Sequence, residues 1–275
     1  MTNKGRLLAI LAVGLALISA VGCDKLQARD QLNKGVQAYK NAKYEEAIDH
    51  FQKAVSLDPN LLNARLYLAT AFAQQYIPGA DTPDNNQVAN QAIDQFKKVL
   101  EMNPGRDQQS TSLKGIASLY FNMKKMEDAK DYHRKVVALD PNDPEAYYSI
   151  GVIDWTQAYQ NAAEAKSKEG MKVDDDITKD KKLCPALKQQ NEQIVQDGID
   201  NLNKALQLRT DYDDAMAYMN LLYRRKADLE CGDADARAAD LKSADEWVDK
   251  TMATKKAKAE KQPGATGITM DQSGK

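Results

Sequence analysis

The 275-residue chain has little with which to do covalent or metal chemistry. It holds two histidines, His50 and His133, and three cysteines, Cys23, Cys184 and Cys231, none in a C-x-x-C pair. A Gly-rich phosphate loop, H-E-x-x-H and G-x-S-x-G are all absent. Asp174-Asp175-Asp176 has neither the alternation nor the glycine of a calcium loop and reads as a charged tip. No catalytic, cofactor or metal site is therefore expected. Strand-like alternation bounded by turns is missing too, and glycine and proline are sparse before the tail. Those absences leave an all-helical fold. Nor is one sign of charge in excess: 38 basic residues face 40 acidic ones, which gives no electrostatic footprint for nucleic acid.

What the chain does have is a pattern that recurs three times between Gln31 and Pro141. The first copy is marked by Gly35, Tyr44, Ala47, Phe51, Ala54, Leu57 and Asp58-Pro59. In the second, an insertion of about eleven residues parts Leu68, Ala69 and Phe72 from Ala92, Phe96, Val99, Met102 and Asn103-Pro104. The third runs Leu113, Ile116, Ala117, Tyr120, Ala129, His133, Val136, Leu139 and Asp140-Pro141. Small residues such as Gly35 and Ala47 allow two helices to approach, and Phe51 and Phe96 fill the gap to the next unit. His133 occupies the same slot, so packing accounts for it better than catalysis. Pro59, Pro104 and Pro141 end helices, because proline lacks an N–H and pushes its predecessor out of helical geometry.

These marks resemble the tetratricopeptide repeat (TPR) family, whose units are antiparallel helix pairs of about 34 residues. The resemblance implies an all-α, TPR-type superhelical solenoid of about five repeats, spanning residues 28–254. Repeats are expected near 28–61, 62–106, 110–143, 144–211 and 213–254. The fourth opens with Tyr147, Ile150, Gly151 and Trp155 and closes with Gly198, Leu202, Ala205 and Leu208, after roughly 35 extra residues beyond the usual period. Unbroken helices at 146–170 and 185–209 make it an elongated hairpin with a solvated tip at 174–182. The fifth begins with Met216, Met219 and Tyr223, and its second helix covers 236–252.

Ahead of the repeats, Lys4 and Arg6 precede an uncharged run from Leu7 to Ala20, too short for a comfortable membrane span, which ends in Ala20-Val21-Gly22-Cys23. The segment resembles a bacterial lipoprotein signal peptide (1–22) with its lipobox, although Ala20 stands where leucine is usual. That resemblance implies cleavage before Cys23, lipidation of its sulfur, and a short anchor and linker at 23–27. The other readings are an ordinary secretory signal cut near Gly22 or an uncleaved anchor. Two or three acyl chains, at about 0.8 kcal/mol per buried CH₂, would fix the protein to a membrane of the bacterial envelope, facing the periplasm. Loss of two of the 38 basic residues with the signal would leave a mature net charge of about −4.

In that oxidising compartment Cys184 and Cys231 are expected to pair. Each lies between the two helices of its own hairpin, and such loops emerge on the same edge of a row of repeats. Measured from Gly198 and Asn220, their heights differ by roughly 5 Å at 1.5 Å per residue, within reach of loop adjustment. From about Lys255 onward the composition turns to lysine, then to small and polar residues, so 255–275 is expected to be a disordered tail.

The remaining candidate for function is surface. In the family the inner wall is built mainly from first helices, and here those faces offer Tyr39, Tyr67, Phe121, Tyr148, Trp155, Tyr218, Arg224 and Arg225 as binding anchors. The TPR subfamily that clamps C-terminal carboxylates uses Lys, Asn and Arg on these faces, whereas Leu32, Val36, Tyr67, Thr111 and Gly115 stand there instead. An extended or helical polypeptide with apolar anchors is the expected partner. The reading is a membrane-tethered adaptor in envelope biogenesis: outer-membrane assembly, pilus or cell-wall machinery. The alternative is a structural subunit that self-assembles through its terminal helices.

Overall fold

The computed structural model describes residues 23–261; the signal-like segment 1–22 and residues 262–275 lie outside the described part. Among the described residues all regular structure is helical, and they divide into two compact units, 23–139 and 140–261. Each unit is a row of antiparallel helix pairs, the architecture of a TPR solenoid.

The first unit holds three pairs: α1 (23–40) with α2 (Tyr44–Leu57), α3 (Leu62–Gln75) with α4 (Pro83–Glu101), and α5 (Arg106–Asn122) with α6 (Met126–Leu139). Helices α2 and α6 stop immediately before Asp58-Pro59 and Asp140-Pro141, and α4 stops two residues before Asn103-Pro104, where the proline forbids another turn. Within two pairs the turn repeats a backbone device. Ala42 and Lys124 take left-handed conformations (φ 58° and 60°), and the next N–H bonds back to the ending helix, Lys43 to Ala38 O at 3.0 Å and Lys125 to Tyr120 O at 2.9 Å. Phe51 and Phe96 are sealed inside the unit, 0% and 2% exposed. They are buried because glycine makes room: a Cβ on Gly35 would lie 2.4 Å from the Phe51 ring, and one on Gly115 2.7 Å from Phe96.

The insertion in the second repeat becomes a loop, 76–82, and added turns at the start of α4. Thr82 caps α4 by accepting from the Asn85 N–H at 3.3 Å, with Pro83 in the first turn. Asn85 is itself buried and staples the loop. Its side chain accepts from Ile77 N–H at 2.8 Å and donates to the carbonyls of Ile77 and Ala80 at 2.9 and 2.7 Å.

The second unit holds two pairs: α7 (Pro144–Lys168) with α8 (Leu183–Leu208), and α9 (Asp213–Ala227) with α10 (Ala234–Lys261). Asp143 caps α7, accepting from Glu145 and Ala146 N–H at 2.9 and 3.3 Å, with Pro144 in the first turn. Helices α7 and α8 form the elongated hairpin. Midway along it the buried Asn191 carboxamide donates to Ala158 O at 3.0 Å and accepts from Asn161 at 2.8 Å. Cys184 and Cys231 are joined by a disulfide, Cα atoms 5.7 Å apart, which ties the start of α8 to the α9–α10 loop.

Three expectations need correction. The tip of the long hairpin is not simply solvated. Ile177 is 2% exposed and packs with Leu187 and Leu229, Thr178 is buried, and the Lys166 ammonium is folded in to donate to Val173 O at 2.6 Å. Three consecutive aspartates hid the apolar residue behind them. The segment 23–27 is not a linker but already helix, since it contains no glycine or proline to interrupt α1. The tail does not begin at 255. Alanine- and lysine-rich sequence carries α10 to Lys261, and Lys258 reaches Asp213 on α9.

Candidate protein-binding face

Helices α7 and α9 bring aromatic side chains of the second unit into a continuous run. Tyr212, in the α8–α9 turn, lies 4.9 Å from Tyr148 between ring centroids, Tyr148 lies 5.7 Å from Tyr218, and Tyr218 lies 5.5 Å from Trp155. Trp155 then stacks on Tyr159 at 5.5 Å. The α7 members fall on one face because 148, 155 and 159 follow the seven- and four-residue spacing of a helix stripe. Their contacts with neighbouring rings are edge-on or tilted except at Trp155 and Tyr159, the geometry that ring quadrupoles favour.

Exposure is graded along the run. Tyr212 is buried, Tyr148, Tyr218 and Trp155 are half-buried against the core, and Tyr159 is 37% exposed. The Arg225 guanidinium lies 5.9 Å above the Tyr159 ring and pairs with Asp228 at 3.2 Å. Burial pushes the Tyr148 phenol up to about 12, with Tyr218, Asp214 and Glu145 adding to the shift. Tyr218 is raised by burial and then by Asp214. Both phenols therefore stay neutral and can donate hydrogen bonds.

The buried end is locked by Glu145. It accepts from Tyr212 and from Arg209, the latter at 2.7 Å, while the Arg209 guanidinium sits 4.3 Å over the Tyr212 ring. Burial alone would raise this carboxyl, but the Tyr212 and Arg209 hydrogen bonds and the Arg209 charge hold it below the usual carboxylate range. Glu145 thus fixes the α8–α9 turn against the start of α7.

Of the residues expected to bind a partner, the second unit gathers Tyr148, Trp155, Tyr218 and Arg225. Arg224 turns instead toward α10, pairing with Asp245 at 2.8 Å and holding Asn220 at 2.9 Å. In the first unit Tyr39 meets Tyr44 edge-on at 5.4 Å, Tyr67 stacks on Phe51 at 5.6 Å with 38% of its surface exposed, and Phe121 is half-buried near the end of α5. Tyr159 and Tyr212 escaped the sequence reading. Tyr159 was signalled by its four-residue step from Trp155; Tyr212 lies in a turn where no periodicity points to it.

Two segments, 28–61 and 115–143, match family profiles described as tetratricopeptide repeat. This chain folds as tetratricopeptide repeats. Solved TPR structures align over nearly their whole length. The crystal structure of MamA protein superposes with a TM-score of 0.56 at 15% identity, covering 88% of this chain and 97% of that one. MamA 41-end from Desulfovibrio magneticus RS-1 gives 0.54 at 17% identity, covering 84% and 96%. YrrB, a TPR protein with an unusual peptide-binding site, gives 0.52 at 15% identity, covering 89% and 98%. Among curated proteins no match is found. No group of three or more His, Cys, Asp or Glu side chains is arranged to hold a metal ion among the described residues of this TPR chain.

Proposed function

We propose that this TPR protein is a lipid-anchored adaptor of the bacterial envelope that faces the periplasm, grips a partner polypeptide and catalyses nothing. The observation that carries the binding role is the aromatic run on α7 and α9, open at Trp155 and Tyr159 and flanked there by Arg225. Aromatic and arginine side chains offer large contact area at low entropic cost and dominate the energetics of protein interfaces. Peptide binding by YrrB, a protein of the same fold, supports a polypeptide ligand. The anchor reading is supported by Cys23, an exposed free cysteine at the start of the described chain, preceded in sequence by the basic residues and apolar run of a lipoprotein signal. The partner is expected in outer-membrane assembly, pilus or cell-wall machinery.

A photo-crosslinking residue at Tyr159, in the full chain expressed in a bacterial envelope, tests the face. One at Gln189, on the exposed side of α8, is the control. The reading requires a discrete polypeptide adduct from position 159 and none from 189. Equal labelling at both sites overturns it. Membrane fractionation of wild type beside Cys23→Ser tests the tether: wild type is expected in the membrane fraction and the variant in the soluble periplasmic fraction. Wild type recovered without membrane excludes lipidation.

A further inference from the structure

No flexible stretch separates Cys23 from the packed body of the first unit. Residues 23–40 are continuous helix, and Ala28, five positions after Cys23, is already fully buried. At 1.5 Å per residue the core therefore begins about 7.5 Å along the helix axis from Cys23. Farther along, α1 is held to α2 by His50 Nδ1, 2.7 Å from the Gln31 carboxamide oxygen, and is fitted to the Phe51 ring at Gly35. Whatever holds Cys23 holds the unit.

The first turn of α1 also carries an apolar side chain that the fold leaves uncovered. Leu26 is 69% exposed, more than any other large apolar side chain among the described residues. It follows Cys23 by three residues, on the same side of the helix, and precedes Ala28 by two, about 200° round from the side that packs. Beyond it that side turns polar, with Gln27, Asp30 and Lys34, the last two ion-paired at 2.7 Å. The apolar surface is one turn deep. Lys25 and Arg29, both exposed, flank it. A stable protein interface needs a far wider patch than a single leucine, whereas an apolar tip flanked by cations beside an acylated residue fits an anionic lipid surface.

We infer that the first turn of α1 is a membrane-contact surface, with Leu26 inserted below the lipid headgroups and Lys25 and Arg29 at the level of the phosphates. The inference rests on the lipid anchor at Cys23 proposed above. It adds that the first unit is seated on the bilayer in a set orientation, where a flexible leash would let it swing.

Leu26→Cys in the acylated full chain tests this, because Cys184 and Cys231 are paired and Cys23 carries lipid, which leaves position 26 as the free thiol. That thiol is labelled with a nitrobenzoxadiazole dye, and the protein is placed in vesicles of phosphatidylethanolamine and phosphatidylglycerol. Blue-shifted emission is expected, quenched by lipids with a doxyl group near the glycerol and at least about threefold less sensitive to aqueous iodide than the same dye at Lys34→Cys. A Gly-Ser linker of about ten residues inserted after Asp24 should return the dye at 26 to water while the protein stays on the vesicles. Equal iodide quenching at 26 and 34 overturns the seat and leaves the anchor standing. A dye shielded from iodide yet untouched by doxyl lipid would mean a protein cover and also overturns it. Mass spectrometry of the N-terminal peptide separates the two readings, since Cys23 without acyl mass removes anchor and seat together.

Discussion

The space where Gly35 has no side chain is the space the Phe51 ring occupies: a Cβ at position 35 would stand 2.4 Å from the ring edge. Since Phe51 is fully buried and stacked on Tyr67, the ring has nowhere to retreat. Gly35→Ala should therefore destabilise the first unit by about 1–3 kcal/mol through overpacking, despite a helix-propensity gain of about 1 kcal/mol. A circular-dichroism melt reads the outcome. An unchanged or raised melting temperature would show that α1 and α2 are not in this register.

Trp155 and Tyr159 divide anchoring from packing. Trp155 is half-buried against the core of the second unit, so Trp155→Ala is expected to lower both partner capture and stability. Tyr159, more exposed and at the open end of the run, should act on capture alone. Tyr159→Ala is expected to cut crosslinked adduct at a neighbouring position severalfold while moving stability by no more than about 0.5 kcal/mol. Capture that survives Tyr159→Ala intact would move the binding face elsewhere.

Removing the Cys184–Cys231 bond should cost the second unit about 2–4 kcal/mol, since the bond closes a separation of 47 residues. Both tryptophans of the chain, Trp155 and Trp247, belong to this unit, so their fluorescence in urea follows it selectively. The Cys184→Ser/Cys231→Ser variant should unfold at lower urea than the oxidised parent. Coincident curves would mean that packing of Ile177 and Leu187 holds the tip unaided.

Glu145 should give the second unit an acid-sensitive term. Its folded carboxyl sits below its unfolded value, so the folded state binds fewer protons there. The stabilisation is complete above the ordinary carboxylate range, about pH 4.3, and is lost as pH falls through the lower folded value. Between about pH 6 and pH 3 the urea midpoint of wild type should fall more steeply than that of Glu145→Gln. Parallel slopes would show that the Tyr212 and Arg209 contacts do not bias the equilibrium.

How much of this could be read beforehand depended on periodicity. The helix pairs of the first three repeats were legible because the steps Ala47 to Phe51, Ala92 to Phe96 and Ala129 to His133 are all four residues and the prolines punctuate them. The cysteine pairing was legible too, since both loops belong on one edge. Where the period breaks, legibility fails. Ile177 stands alone after three aspartates, and a single apolar residue in a polar loop has no partner in sequence to reveal its burial. Arg224 and Arg225 looked equivalent as neighbours, yet successive helical residues point about 100° apart, and one faces α10 while the other faces Tyr159.

The last helix pair of a repeat row has a neighbour on one side only and ordinarily peels first. Here one end of that pair is riveted: the Cys184–Cys231 bond, the Gly232 N–H to Thr178 carbonyl bond at 2.9 Å and the Arg237–Asp176 ion pair at 3.4 Å all fall at the α9–α10 loop. Unzipping must then start from the opposite end, where Lys258 holds Asp213 in contact with water, and it runs toward a stop. A polypeptide tugging on this part of the molecule would loosen the C-terminal turns of α10 and leave the long hairpin whole.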